Sequence, residues 1–318
     1  MTTTLSLPGE LAAVTRDDES LRRFLHGLPG VDAVGLQARA AALATRSVKA
    51  DAKLRAIDLA IRMIDLTTLQ GADTEGSVRA LCNRARRPDP EQAGVPQVAV
   101  VCVYPDRVAT AVAALAGSGV GVAGVATAFP SGRSSLQVKL ADTALAVESG
   151  ATEIDMVIDR GAFLCGRYGQ VFEEIAAVRA VCAGVQLKVI LETGELATYD
   201  NVRRACWLAM LAGGDFVKTS TGKISPAATL PVTQLMLQAV REFDQRTGAR
   251  CGVKAAGGIR TTKDAIRYLV AVHEVAGTDW LTPRLFRFGA SSLLGDLLMQ
   301  RRTQLDGHYS GTDYVAGE

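Results

Sequence analysis

The chain has 318 residues, 48% of them hydrophobic, which is enough for two average domains or one large barrel with a sizeable core. Lys and Arg (35) nearly balance Asp and Glu (33), and a net charge of +2 gives no electrostatic case for a nucleic-acid surface or an acidic membrane. The opening MTTTLSLPGE lacks the basic run and apolar stretch of a signal peptide, and no segment approaches the roughly 18 uninterrupted apolar residues of a membrane span.

Residues 1–61 form an N-terminal extension with an Ala/Arg-rich helical stretch, GLQARAAALATRSVKADAKLRAIDLAIR. It is expected to supply one or two helices that close a barrel's bottom or pack on its side. From residue 62 to 300, short β-rich apolar runs alternate with segments of helical period. The strand candidates are 62–68, 97–105, 121–130, 152–159, 186–193, 215–221, 251–259 and 285–291. Between them, stretches such as QVFEEIAAVRAVCAG and LPVTQLMLQAVREFDQRTG repeat apolar residues every three or four positions, as an amphipathic helix does. Strands with so few alternating polar residues point to a parallel sheet covered on both faces. Eight βα repeats match a closed (β/α)8 TIM barrel, an α/β fold. A doubly wound open sheet uses the same alternation. The count of eight favours closure, and so do the polar residues gathered in strands or at their C-terminal ends. Residues 301–318 lose periodicity and are expected to form a flexible tail. Cys82, Cys102, Cys165, Cys182, Cys206 and Cys251 include no CxxC pair and read as reduced, buried thiols of a cytoplasmic protein.

Three strands each carry one lysine among apolar neighbours: Lys188, Lys218 and Lys254. Lysine is rarely buried without a partner. An ion-pair network with Asp155, Glu192 or Asp65 would account for the three, and so would an amine nucleophile for carbonyl chemistry. A free lysine, with a pKa of about 10.4, is almost wholly protonated at neutral pH. A second cation nearby, together with desolvation, frees the amine, and Lys218 and Lys254 on neighbouring strands supply that arrangement. Asp155 is the candidate proton shuttle, or the group that orients a lysine.

Glycine and hydroxyl clusters close three of the last strands: STGK (220–223), AGGIR (256–260) and FGASS (288–292). Loops after the seventh and eighth strands of such barrels commonly bind phosphate. The N–H groups of Gly257 and Gly258, with Ser291 and Ser292 at a helix N-terminus, would point donors at an anion, and Lys223 and Arg260 would add charge. Ordinary loop glycine and helix capping would explain either cluster alone. His26, His273 and His308 all fall outside the predicted strands, so no metal site and no cofactor is expected. Gly119–Val–Gly121–Val–Ala–Gly124 fits GxGxxG by letter, but it leads into a strand and is rejected as a dinucleotide site.

The strings IDLTTL (64–69), CVYP (102–105), LKVILETGEL (187–196), DFVKTSTGK (215–223), GVKAAGGIR (252–260) and FRFGASS (286–292) resemble the deoxyribose-phosphate aldolases. The resemblance covers about residues 62–295, and DFVKTSTGK is its most specific part. It implies a class I aldolase, a lyase that reversibly cleaves 2-deoxy-D-ribose 5-phosphate to D-glyceraldehyde 3-phosphate and acetaldehyde in deoxyribose phosphate catabolism. It implies that Lys218 forms the Schiff base, Lys254 tunes it and Asp155 relays protons. Cys102 would line the acetaldehyde pocket, and Gly222, Lys223, Gly257, Gly258, Ser291 and Ser292 would hold the phosphate. Asp65, Lys188, Thr221, Arg260 and Gly289 complete the expected substrate contacts. Family members of shorter length end in a segment whose tyrosine reaches the site, which implies Tyr309 or Tyr314 here. Ala255 stands where the family usually has proline, a change expected to loosen that strand end while leaving Lys254 in place. A Schiff-base aldolase or transaldolase of another sugar phosphate is the alternative, and a non-catalytic phosphosugar-binding barrel would have no use for the three polar residues. The partners expected are phosphosugar and aldehyde substrates and further copies of the chain, in a homodimer or higher homo-oligomer.

Overall fold

The computed structural model describes residues 8–307. Eight parallel strands close into one barrel in sequence order: β1 (Ile64–Thr67), β2 (Val100–Val103), β3 (Gly121–Ala126), β4 (Glu153–Val157), β5 (Gln186–Ile190), β6 (Phe216–Lys218), β7 (Gly252–Ala256) and β8 (Phe286–Ala290). Pairing of Asp65 with Gly289 and of Leu66 with Ala290 joins the last strand to the first. The doubly wound alternative is therefore excluded.

Every strand is shorter than its apolar run, because the run continues into the loop that follows. After Lys218, for instance, Thr219 and Ser220 turn their hydroxyls onto the Ala256 carbonyl at 3.2 and 2.9 Å, and the regular ladder stops. Alternation of side chains along each strand divides the barrel into two environments. Outward residues such as Ile64, Val101, Ile154, Leu187, Val217, Val253 and Phe288 are buried beneath the helices in one continuous core. Each such side chain contributes about 1.5–3 kcal/mol by leaving water. The inward residues of β2 and β3 (Val100, Cys102, Ala123 and Val125) form a second, smaller apolar cluster inside the barrel. The remaining strands fill the interior with charge.

The helices are α1 (Gly9–Val14), α2 (Asp18–Gly27), α3 (Ala33–Ala44), α4 (Ala50–Arg62), α5 (Glu75–Arg86), α6 (Val108–Leu115), α7 (Leu136–Glu148), α8 (Arg160–Leu164), α9 (Tyr168–Val181), α10 (Tyr199–Leu211), α11 (Leu230–Thr247), α12 (Thr262–Val275) and α13 (Leu293–Asp306). Thr198, Thr229 and Thr261 cap α10, α11 and α12 by accepting backbone N–H groups, which starts those helices right after the loops at the mouth. The N-terminal extension holds four helices instead of the one or two expected. They lie along the barrel's side: α2 against α9 and α10, α3 against α11 and α12, α4 against α12 and α13. Helix α13 runs to Asp306, so residues 301–306, expected in the tail, are helical; Arg301 and Arg302 anchor that turn on Asp58 and Asp89. Cys165 is exposed, against the expectation that all six thiols are buried. No helix among the described residues is long and apolar enough to cross a membrane.

Candidate active site

Strands β1 and β4 to β8 aim charged side chains into the barrel. Asp155 stands at the centre. Its Oδ1 accepts from Lys188 Nζ at 2.8 Å, and its Oδ2 accepts from both Lys218 Nζ and Lys254 Nζ at 2.7 Å. Lys254 also lies 2.6 Å from Asp65 Oδ2, an ion contact whose angle does not suit a hydrogen bond. Arg287 donates to Asp65 Oδ1 at 2.6 Å and to Glu153 Oε1 at 2.8 Å, and Glu153 in turn contacts Lys188. Glu153 precedes Asp155 by two residues on β4, so it shares Asp155's inward face one layer toward the strand's N-terminal end. All seven side chains are buried.

The lysines do not share one fate. Burial disfavours the charged form of each. At Lys218 burial prevails, helped by the Lys254 ammonium against the pull of Asp155, and its pKa is lowered from the ordinary lysine value. At Lys254 burial is overcome by Asp155 and Asp65, and its pKa is raised. At Lys188 burial is likewise overcome, by Asp155, Glu153 and Asp65. Asp155 is kept ionised well below the usual carboxylate range because Lys188, Lys218 and Lys254 outweigh its burial. An amine that holds its proton less tightly than usual, beside a lysine that holds its own more tightly, is the arrangement carbonyl attack requires.

A cavity of about 230 Å³ opens above this network at the C-terminal ends of the strands. Lys218 lies at its base; Thr221, Gly222, Lys223, Gly257, Gly258, Arg260, Gly289, Ser291 and Ser292 line its walls. Gly257 and Gly258 adopt φ of +82° and +83°, a region costly for other residues. A Cβ on Gly257 would also come within 2.7 Å of the Ala227 Cβ. Gly289 serves close packing: a Cβ there would come within 2.7 Å of the Ala256 Cβ on the neighbouring strand and 3.1 Å of Lys254 Cε. Ser292 precedes α13 without capping it through its side chain and lines the cavity at a positive helix end. The Gly257 N–H is spent on the Gly289 carbonyl at 3.1 Å, contrary to the expectation that it faces an anion; the Gly258 N–H has no protein acceptor among the described residues. Lys223 Nζ, expected at the anion, rests on the Leu69 carbonyl at 2.7 Å while still lining the cavity. A larger cleft of about 1020 Å³ adjoins it, lined mainly by α5 and the loop that follows and meeting the cavity at Thr67, Gln70 and Ser291.

Three expected substrate contacts lie elsewhere. Lys188, Asp65 and Cys102 are fully buried and absent from the cavity wall. Lys188 is an interior ion held by Glu153 and Asp155 and, at 3.7 Å, by Asp65; Asp65 also braces Lys254 and Arg287, and Cys102 belongs to the apolar half of the interior, where burial raises its thiol pKa. Tyr309 and Tyr314 lie outside the described residues. Sequence reasoning passed over Arg287 and Glu153, although both carry the signal that singled out the lysines, a charge on a strand among apolar neighbours. It also passed over Thr67 and Gln70 on the cavity wall and the role of Glu192. That residue sits buried at φ +54°, and its carboxylate accepts from Thr221 Oγ1 at 2.5 Å and from the Thr221 N–H at 3.2 Å.

Residues 59–298 match the family described as DeoC/LacD family aldolase. The chain is 46% identical to deoxyribose-phosphate aldolase of Mus musculus over 278 residues, covering 84% of this chain and 87% of that one. It is 45% identical to the Homo sapiens enzyme of that name, with the same coverage. Among solved structures, the tetrameric deoxyribose phosphate aldolase of Aeropyrum pernix matches with a TM-score of 0.58 and 27% identity, over 80% of this chain and 99% of that one.

Proposed function

The chain belongs to the DeoC/LacD family of aldolases, and from that membership and the site's geometry we propose how it works. It is a lyase that reversibly cleaves 2-deoxy-D-ribose 5-phosphate to D-glyceraldehyde 3-phosphate and acetaldehyde. One observation carries the assignment of the nucleophile: of the three interior lysines, Lys218 alone borders the cavity among the described residues.

The Lys218 amine attacks C1 of the open-chain aldehyde, and loss of water gives a protonated imine. Removal of the C3 hydroxyl proton then breaks the C2–C3 bond. Its electrons move into the iminium, which becomes the enamine of acetaldehyde as glyceraldehyde 3-phosphate departs. Protonation of the enamine carbon and return of one water release acetaldehyde and restore the amine. Asp155 holds Lys218 and Lys254 on the same oxygen, so a proton given up near one can be returned from the other through a single carboxylate. Lys254 keeps its charge and favours the free amine beside it. The phosphate rests against the Gly258 N–H, Ser291, Ser292 and the start of α13, with Arg260 at the rim.

We assign the protein to the cytoplasm on its six free cysteines. We also assign it a homo-oligomeric state, as in the tetrameric relative, with the exposed Val138 and Leu145 of α7 among its apolar surface. Purified protein given deoxyribose 5-phosphate should produce acetaldehyde and glyceraldehyde 3-phosphate in equal amounts. No cleavage, or cleavage of a different sugar phosphate only, would overturn the assignment.

A further inference from the structure

The charged interior can be counted. Four cations (Lys188, Lys218, Lys254, Arg287) and three anions (Asp65, Glu153, Asp155) are joined by direct contacts, so the fully ionised set carries one surplus positive charge. The other groups that face it are few. Strand β2 brings only the Cys102 thiol and β3 no ionisable side chain; Lys223, Glu192 and Arg260 belong to the loops above. An unbalanced charge is costly in a buried setting, and the ordinary remedy is loss of a proton. Arginine does not give up its proton under protein conditions, so the proton must come from a lysine. Lys188 touches Glu153 and both aspartates, and Lys254 touches both aspartates. Lys218 touches one carboxylate, Asp155, whose Oδ2 it shares with Lys254. It is the least compensated of the three.

We propose that Arg287, held by Asp65 and Glu153 at the far side of the network, is a positioning residue that fixes the interior at one surplus cation and thereby keeps the Lys218 amine free of its proton. The assignment rests on Lys218 as the imine-forming residue. Arg287 acts at a distance: its hydrogen bonds go to Asp65, Glu153 and the Pro283 carbonyl, its guanidinium lies over the Phe216 ring, and it does not border the substrate cavity. It supplies a cation that no change of pH removes, and the lysines then settle which of them goes neutral.

Substituting charges changes the count. Arg287→Met leaves three cations against three anions, so Lys218 keeps its proton and the acidic limb of the pH–rate profile should move alkaline by about one unit or more, a fall of about tenfold on that limb. Arg287→Lys keeps the charge and should keep the wild-type limb. Arg287→Met with Glu153→Gln restores one surplus cation and should bring the limb back, a rescue that loss of packing alone would not give. Borohydride trapping with acetaldehyde, mapped by mass spectrometry in each variant, separates the two claims. Label absent from Lys218 in the wild type would overturn the imine assignment. Label on Lys218 with an unmoved limb in Arg287→Met, or a double variant no closer to wild type than the single, would overturn the role of Arg287. If Arg287→Met does not fold, Glu153→Gln with 13C-labelled lysine and NMR at neutral pH decides. The count expects two neutral amines among the three interior lysines in that variant against one in the wild type, and an unchanged single neutral amine would refute it.

Discussion

Lys218 and Lys254 face each other across the β6–β7 ladder, and each places its amine 2.7 Å from the same oxygen, Asp155 Oδ2. Two ammonium groups on one carboxylate oxygen cannot both be fully compensated. The one with a second anion, Asp65, is the better held, and that is Lys254. The pair therefore divides into a lysine whose proton is held more tightly, Lys254, and one whose proton is held less tightly, Lys218.

Removing the charged member should undo the division. In Lys254→Leu the pKa of Lys218 rises, and because attack needs the free amine, activity is lost on the low-pH side first. The acidic limb of the pH–rate profile should shift alkaline, with neutral-pH activity down about tenfold or more. An acidic limb in its wild-type position would contradict the pairing.

Lys188 is an interior ion that does not line the cavity. Lys188→Met leaves Glu153 and Asp155 short of a buried partner, a loss on the order of 3–5 kcal/mol in denaturant unfolding. At alkaline pH, where Lys218 is deprotonated regardless, borohydride trapping should still label Lys218. A variant of wild-type stability would show that the clamp is not a stability element.

The loop that carries STGK is tied down by Glu192. Glu192→Ala removes the acceptor of both the Thr221 hydroxyl and its N–H, at a cost of about 1–3 kcal/mol, and slackens one wall of the cavity. KM for deoxyribose 5-phosphate should rise several-fold, whereas Glu192→Gln, which keeps an acceptor, should lie closer to wild type. Equal effects of the two substitutions would mean that the hydrogen bonds to Thr221 are not what positions the loop.

Ser291 borders the cavity beside the start of α13. Ser291→Glu places an anion at the proposed phosphate site and should raise KM for deoxyribose 5-phosphate by about tenfold or more, with a much smaller effect on unphosphorylated deoxyribose. A comparable loss on both substrates would put the phosphate elsewhere.

The barrel was legible because parallel strands buried on both faces leave an unmistakable pattern, and because Lys188, Lys218 and Lys254 stand out in apolar runs. What pattern could not supply was direction and depth. Lys188 and Lys218 look alike in the sequence, yet one is clamped below and the other borders the cavity, a difference set by barrel closure and by loops after the strands. Arg287 and Glu153 were readable in principle, since period-two alternation puts Glu153 on the face of Asp155. They went unnoticed because they lie a layer away from the strand ends where chemistry is sought. The Gly257 N–H illustrates the opposite limit: its partner, the Gly289 carbonyl, is known only once β7 and β8 are side by side. The four helices of the extension were blurred into one or two because only the Ala-rich stretch has a conspicuous apolar period.

The central claim is that Lys218, alone of the interior lysines, forms the imine. Reduction with borohydride in the presence of acetaldehyde, followed by peptide mass spectrometry, tests it most directly. One ethyl group is expected, on Lys218, with loss of activity in proportion to labelling, and no label in a folded Lys218→Arg variant, whose guanidinium cannot form an imine. An ethyl group on Lys188 or Lys254 in place of Lys218, or inactivation with no lysine labelled, would contradict it.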